Sequence, residues 1–312
     1  MGLNIGKQAV ENKTYNLDPN SKCKIIEKNC TENDDKLLLQ QYFNTINYKI
    51  NFPDQYINRF FSLLINILNK TKDTELISII GDEIKFICDR DIKYINKLAE
   101  TKNYSECLMK IIIKRLISPE QKNNYKSILA SCLMYNYNYE SHKIVEFYVN
   151  SLVNNKNDIN LNDVENVEKI ISNKLIQDLF FFNDYVDKLI DCLVSAKKDK
   201  KNMVITQKIL NCISLILSND NAKYYIEISH IDKLLTLIDT EKNIMKIYIK
   251  IFNNLLNSTK NMIYDRRFPT TNFQKLFIDI NLGVKLSNLL SKISDIEIRN
   301  DLEKLINSIR EN

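Results

Sequence analysis

The residue types that most often carry catalysis or bind metal ions are few and scattered in this sequence. Its two histidines, His142 and His230, have no second ligand at a metal-binding spacing, and Cys132 forms no recognised nucleophile–base pair with His142. The carboxylate pair Asp34–Asp35 lacks the apolar setting that would raise one pKa for acid–base work. Phosphate-binding glycine loops, zinc-protease motifs and nucleophile elbows do not occur. The sequence therefore predicts a non-catalytic protein that holds neither a cofactor nor a metal ion.

The strongest candidate for a functional surface is a polar stripe on an amphipathic helix predicted over 243–259. Apolar residues recur there at i, i+3, i+4 and i+7, the spacing of one helical face. The opposite face carries Lys246, Lys250, Asn253 and Asn257. Every amphipathic helix has a solvated face, and this chain is rich in Asn and Lys. The stripe alone therefore fits either a solvated surface or a partner-binding one.

The same stripe recurs one repeat earlier, when 207–218 is aligned on 246–257 with a shift of 39 residues. The aligned apolar pairs are Ile209 with Tyr248, Ile213 with Phe252, Ile216 with Leu255, and Leu217 with Leu256. In an armadillo-like solenoid the third helix of each repeat lines the concave groove, so neighbouring stripes would form a ladder that faces a partner. The candidate partner-binding stripe comprises Gln207, Asn211, Ser214, Lys246, Lys250, Asn253 and Asn257, with Tyr248, Arg266 and Arg267 as candidate anchors.

Helices are the elements that must position these residues. Four glycines and four prolines in 312 residues leave little material for hairpins and tight turns, so long helices joined by polar loops are expected. Apolar residues at helical spacing occupy 54–70, 75–89, 105–117, 124–135, 141–153, 164–182, 184–196, 230–238 and 281–293. The polar stretch 154–163 interrupts this series and predicts an exposed loop.

A repeat of about 40 residues that contains two or three helices has the size of an armadillo or HEAT unit. Each such unit cannot bury its apolar face alone, so the units stack. We therefore predict an all-α, armadillo/HEAT-like, right-handed α-solenoid over 36–312, with five to six degenerate repeats. The polar, aperiodic residues 1–35 are predicted to form an N-terminal tail or arm.

Charge and cysteine content narrow the class of partner. The net charge of +5 is spread along the chain, and the basic run at 196–202 is interrupted by Asp199, which favours a solvated loop over a nucleic-acid surface. The seven cysteines form no CxxC motif, and no run of 18 apolar residues occurs. These features predict a cytoplasmic chain with buried free thiols, no nucleic-acid partner and no membrane insertion. The aromatic run 180–182 is interpreted as an inter-helix wedge rather than a ligand pocket.

The order of motifs in 204–309 adds a resemblance to a known family. A charged helix start at Lys242 leads into a helix that ends in an "F.NLL" pattern, and an acidic segment follows after a long insert. The matching residues are Phe252, Asn254, Leu255 and Leu256 in the helix, and Asp295, Ile296, Asp301 and Leu305 in the acidic segment. This arrangement resembles the regulatory H subunit of the V-type proton ATPase (V-ATPase). The sequence ends at Asn312, where that family continues into a smaller second helical domain, so the resemblance concerns the larger domain.

The resemblance implies a regulatory and structural component of a vacuolar-type proton pump. Such a protein would dock on peripheral-stalk helices of the V1 sector, contact the cytosolic part of the a-type subunit of the membrane sector, and support ATP hydrolysis coupled to proton transport. It would be peripheral on the cytosolic face of vacuolar membranes and endomembranes. The alternative from the residues alone is a generic armadillo-repeat adaptor that binds a linear peptide or a helix of a partner protein. The absence of Trp argues against importin-like recognition.

Overall fold

A computed structural model describes residues 17–47, 52–114, 117–137, 140–155, 158–198, 203–219, 222–260 and 272–310. The secondary structure of these residues is entirely helical, without a β-strand. The all-α class and the solenoid-like stacking of successive helices predicted from the sequence are confirmed. The chain divides into two compact units, Met1–Asn136 and Tyr137–Asn312, each described by itself below.

The first unit contains seven helices in its described part. They are α1 (Pro19–Glu27), α2 (Asn33–Asn47), α3 (Asp54–Lys70), α4 (Thr74–Cys88), α5 (Ile92–Ala99), α6 (Tyr104–Lys114) and α7 (Pro119–Tyr135). Helices α2–α4 and α5–α7 form two successive three-helix groups. The last helix of each group packs beside the other, and α1 packs against α2 and α4.

The second unit contains eleven helices in its described part. They are α8 (Ser141–Asn154), α9 (Leu161–Ile171), α10 (Lys174–Phe182), α11 (Tyr185–Lys198), α12 (Met203–Ile216), α13 (Ala222–Tyr225), α14 (Ile228–Thr236), α15 (Lys242–Lys260), α16 (Phe273–Asp279), α17 (Leu282–Leu290) and α18 (Ile296–Arg310). After the pair α8–α9 come three groups, α10–α12, α13–α15 and α16–α18. Each opens with a short helix and closes with a long one, as in a three-helix repeat.

The turn between the first and second helix recurs in three of the three-helix groups of the chain. Asn103, Asp184 and Asn281 each stand immediately before a second helix, and their φ angles are 62°, 54° and 53°. Asn and Asp tolerate this left-handed conformation better than other residues that carry a Cβ. The equivalent turns are therefore made by equivalent residue types, although glycine is nearly absent from the chain.

The closing helices of the second unit, α9, α12, α15 and α18, pack side by side in chain order. We call this set the third-helix row. All eight residues paired by the 39-residue shift are buried on α12, at its end and on α15, each no more than 2% exposed. The shift therefore aligns structurally equivalent core positions, as expected when each repeat buries its apolar face against the next.

Helix ends follow the sequence prediction closely in some places and differ in others. Helix α3 has the predicted bounds of 54–70. The stretch 164–182 is instead split between α9 and α10, because the Asn173 side chain accepts a hydrogen bond from Leu175 N–H and starts a new helix. Periodicity continues through such a break, since the apolar residues of both helices face the same core.

Part of the segment predicted as a tail or arm lies within the first unit. Helix α1 begins at an Asp18 cap, and its Ile26 side chain is fully buried. Lys22 on α1 forms an ion pair of 2.6 Å with Glu83 on α4. Residues 1–16 lie outside the described part of the chain.

Candidate partner-binding site

Helices α12 and α15 carry the predicted stripe, and its members differ widely in exposure. Lys250 and Asn257 are exposed, whereas Gln207, Asn211, Lys246 and Asn253 are half-buried. Ser214 is 2% exposed, and its hydroxyl oxygen has no hydrogen-bond partner among the described residues. The stripe on α15 is therefore more open than the stripe on α12.

Two lysines near the start of α15 are bound to the neighbouring helix α18. Lys242 donates to Asp295 at 2.7 Å, and Lys246 donates to Glu297 at 3.1 Å. The hydrogen bond from Lys242 lowers the pKa of the Asp295 carboxyl below its ordinary value. Lys246 therefore joins two repeats, while Lys250 makes no ion pair with any described side chain and remains available to a partner.

Of the three candidate anchors, Tyr248 lies within the described residues. The side chain of Tyr248 is 1% exposed and lies in the core, where its ring is 6.5 Å from that of Phe252. Burial raises the pKa of the Tyr248 hydroxyl above its ordinary value. A partner could reach this ring only if α15 moved. Arg266 and Arg267 lie outside the described residues.

A second candidate site lies in the second unit, away from the third-helix row. It is a cavity of about 380 Å³ formed by α10, α11, α13, α14 and the turns between them. Its lining residues are Phe180, Phe181, Asp184, Val186, Asp187, Tyr224, Tyr225, Ile226, Glu227, Ser229 and His230. We call this cavity the aromatic–acidic pocket.

One wall of the aromatic–acidic pocket is a stacked pair of rings. The rings of Phe181 and Tyr225 are 5.3 Å apart with an interplanar angle of 14°, and Tyr224 packs edge-on against Tyr225 at 6.4 Å. Phe181 is buried, but Tyr224 and Tyr225 are 39% and 37% exposed. Ile228, immediately beyond the rim, is 50% exposed. The pocket therefore opens to solvent through a rim of large apolar groups, which is typical of a recognition surface.

The inner carboxylate of the pocket is already neutralised. Asp187 accepts hydrogen bonds from His230 Nε2 and from Lys233 Nζ, both at 3.0 Å. Burial acts to raise the pKa of Asp187, but these two hydrogen bonds outweigh it, and the pKa lies below its ordinary value. His230 Nδ1 accepts the N–H of Glu227 at 3.1 Å, while Nε2 of the same ring bonds to Asp187. Both ring nitrogens are occupied and neither is available as a general base.

The outer carboxylates of the pocket are unpaired. Asp184 and Glu227 are exposed, and neither makes an ion pair with a described side chain. The lining residues that the structure describes include no lysine or arginine. The pocket therefore combines aromatic rings with two carboxylates that have no cationic partner among the described side chains, one of which, that of Glu227, caps the start of α14.

Other chemistry-bearing groups do not form a reactive centre in the described part of the chain. All seven cysteines are buried thiols, as the sequence predicts, and burial raises the pKa of the Cys88 thiol to about 12. A protonated, buried thiol is a poor nucleophile. The described residues contain no group of three or more His, Cys, Asp or Glu side chains that could hold a metal ion.

Within the described residues, no helix has both the length and the apolar character needed to cross a membrane.

The aromatic–acidic pocket was missed by the sequence reasoning. The predicted burial of Phe180 and Phe181 is confirmed, yet the same two side chains also line the cavity. Tyr224, Tyr225 and Glu227 lie about 40 residues further along, in the next repeat. Adjacent exposed tyrosines beside an acid were the available signal, but nothing in the linear sequence placed them against Phe181.

Comparisons with known proteins support the fold. No family model matches the chain, and no curated protein does. Two crystal structures of engineered proteins from the Northeast Structural Genomics Consortium are similar. The first has a TM-score of 0.53 and 16% sequence identity, and the match covers 80% of this chain and 96% of the engineered chain. The second has a TM-score of 0.56 and 15% sequence identity, and the match covers 92% of this chain and 68% of the engineered chain. At this level of identity the likeness concerns the helical fold alone.

Proposed function

We propose that this chain is a non-catalytic helical-repeat protein that binds partner proteins. The observation that supports this most is the third-helix row, in which successive repeats place α12 and α15 side by side. Stacked repeats present continuous surfaces longer than any single helix, and binding proteins use such surfaces to hold extended segments. On this surface Lys250 and Asn257 are the exposed members of the predicted stripe.

The specific partner proposed is the peripheral stalk of a V-type proton ATPase. This proposal rests on the sequence resemblance of 204–309 to the regulatory H subunit of that pump. In that role the chain would receive a stalk helix in its groove, support ATP hydrolysis coupled to proton transport, and be held on the cytosolic face of vacuolar membranes through the complex.

A generic adaptor that binds a linear peptide is the second candidate function. The aromatic–acidic pocket favours it, because a cavity of about 380 Å³ is too small for a helix of about 10 Å diameter. It matches a single side chain projecting from an extended segment. The two candidates therefore differ in the surface that the partner occupies.

Native purification of the tagged full chain in mild detergent, followed by mass spectrometry, tests these candidates. Stoichiometric catalytic-head and stalk subunits would support the proton-pump assignment, and a single soluble partner in their place would support the adaptor.

The variant Lys250→Glu is expected to reduce recovery of the partner several-fold. Lys292→Glu is the matched control, because Lys292 is exposed between α17 and α18 and makes no ion pair with a described side chain. Equal recovery with both variants would contradict binding on the third-helix row.

A further inference from the structure

We propose that the aromatic–acidic pocket receives an arginine side chain of a partner protein. This inference deepens the proposed function and rests on it only in taking the partner to be a protein. The pocket lies on α10, α11, α13 and α14, and none of its described lining residues belongs to the third-helix row. It is therefore a contact separate from the predicted stripe.

The size of the cavity suits one long side chain. About 380 Å³ falls at the lower end of the volumes found for small-ligand pockets, roughly 300–1,000 Å³. The exposed rings of Tyr224 and Tyr225 at the rim would cover an aliphatic stem, while the head group enters between the rings and the carboxylates. Apolar stems of basic residues pack on such surfaces with the charge left at a polar end.

The charge of the pocket selects a cation. Asp187 is satisfied internally by His230 and Lys233, so it adds no free negative charge. Asp184 and Glu227 have no cationic partner among the described side chains, and both are exposed at the mouth. A positively charged group entering here would gain two carboxylates without displacing an existing ion pair.

The aromatic wall selects guanidinium over ammonium. Tyr225 stacks one face on Phe181, at 5.3 Å between centroids and an interplanar angle of 14°, and its ring remains 37% exposed beside the cavity, where an entering group would meet its other face. A planar guanidinium stacks on such faces and also pairs with carboxylates, whereas a strongly hydrated ammonium loses more on leaving water. The same arrangement would hold a lysine more weakly.

The charge of Asp184 can be removed by substitution with Asn without changing the left-handed turn at that position. Asn103 and Asn281 occupy the corresponding position before the second helix in two other repeats and have similar φ angles. Asp184→Asn therefore keeps a backbone conformation that the fold already makes with Asn. Combined with Glu227→Gln, it removes both free carboxylates and preserves side-chain size.

The test is a titration of the full chain with the peptide acetyl-Ala-Arg-Ala-amide, monitored by the NMR shift of the Ile226 methyl group, which lines the pocket. The counterpart with citrulline keeps the shape of the side chain without its charge. The counterpart with lysine keeps the charge without the planar head. We expect saturable shifts at Ile226 with arginine, weaker binding with lysine, and no saturation with citrulline at the same concentrations.

The double variant Asp184→Asn/Glu227→Gln is expected to weaken arginine binding about fivefold to tenfold, with a larger effect at low salt. The matched control, Asp279→Asn/Glu303→Gln, also removes two charges in the second unit, at exposed positions outside the pocket with no ion pair to a described side chain. It should leave the affinity unchanged. Equal binding of the arginine and citrulline peptides, or equal weakening by both double variants, would overturn the proposal. A lysine peptide that binds within twofold of arginine would overturn the choice of guanidinium.

The failure of this inference can be told apart from failure of the proposed function. If the double variant still recovers the native partner in full and binds the peptide like the wild-type chain, the pocket inference is wrong while the binding function stands. If the arginine peptide saturates the pocket but native purification yields no protein partner, the pocket binds guanidinium and the proposed partner-binding function is wrong.

Discussion

The two units join neighbouring helices with different kinds of charge. In the first unit Glu83 on α4 is 3% exposed and receives Lys22 from α1 at 2.6 Å and the Tyr42 hydroxyl at 2.9 Å. In the second unit Lys208 on α12 reaches Glu168 on α9 at 2.8 Å, with side chains 32% and 24% exposed. The first pair has a buried carboxylate, and the second is partly solvated on both sides.

The two ion pairs both join neighbouring helices, but breaking them should cost very different amounts of stability. A buried ion has left water, so loss of its partner leaves a charge without compensation. A partly solvated pair is replaced by water when it breaks, and its net contribution is small. Breaking the Lys22–Glu83 pair should therefore cost much more stability than breaking the Lys208–Glu168 pair.

The largest expected effect is that of Glu83→Gln. It leaves the Lys22 ammonium without a carboxylate in a half-buried position, and we expect the free energy of unfolding to fall by about 3 kcal/mol. Urea unfolding of the full chain, with hydrogen exchange of peptides from α1, α2 and α4, would measure and localise the loss. Asp89→Asn, which breaks the exposed Lys85–Asp89 pair at the end of the same helix, should cost less than about 0.5 kcal/mol. Equal losses in the two variants would remove the distinction between buried and exposed ion pairs.

Replacing Gly81 or Gly283 by alanine should change the stability of the protein in opposite directions. At Gly81 in the first unit an added Cβ would lie 2.7 Å from Tyr125 Cζ, and that ring is held by a 2.6 Å hydrogen bond from its hydroxyl to the Ile77 carbonyl. We expect Gly81→Ala to cost about 1–3 kcal/mol through overpacking. At Gly283 in the second unit the nearest atom, Arg310 Nε, is 3.7 Å away, so Gly283→Ala should stabilise by about 0.5 kcal/mol. Thermal melts of both variants would decide the signs, and a stabilising Gly81→Ala would contradict the close contact with Tyr125.

Lys208→Met in the second unit is expected to cost less than Glu83→Gln in the first. The apolar stem is retained and only the pair with Glu168 is lost, so the cost should be about 0.5–1 kcal/mol. The hydrogen bond to Glu168 raises the pKa of Lys208 above its ordinary value of 10.5. The pair therefore contributes fully to the free energy of unfolding below pH 10.5, and this contribution is lost as the pH rises through the raised pKa of Lys208. Denaturation curves at pH 8 and pH 11 should show the difference between variant and wild type shrinking at the higher pH. If Lys208→Met lowered the free energy of unfolding by more than Glu83→Gln does, the ranking of the buried pair above the partly solvated pair would be wrong.

Local sequence predicted much of the helical framework. The bounds of α3 and the 39-residue equivalence of α12 and α15 both follow from where apolar residues recur, because a helix in a stacked repeat must bury one face. The break at Asn173 and the left-handed turn at Asp184 were not predicted. Each depends on a single polar residue whose capping or turn role is decided by the helix that follows.

The candidate site was less accessible to sequence reasoning than the fold. The stripe was found from spacing, but spacing could not show that Lys246 is held by Glu297 while Lys250 is free of such a pair among the described side chains. Nor could it show that Tyr248 lies in the core at 1% exposure. An apolar–polar ring such as tyrosine fits either the core or a binding surface, and only its neighbours determine which.

The sequence by itself determined that this protein is helical and repetitive, since helix formation and the burial of one face depend on residues within a few turns of each other. Only the tertiary structure decided which charges are buried and where a pocket opens. The Lys22–Glu83 pair spans 61 residues, and the Asp187–His230 pair beneath the aromatic rings spans 43. Such contacts form between helices far apart in the chain, where the packing of whole helices sets the distances, and no local pattern encodes that packing.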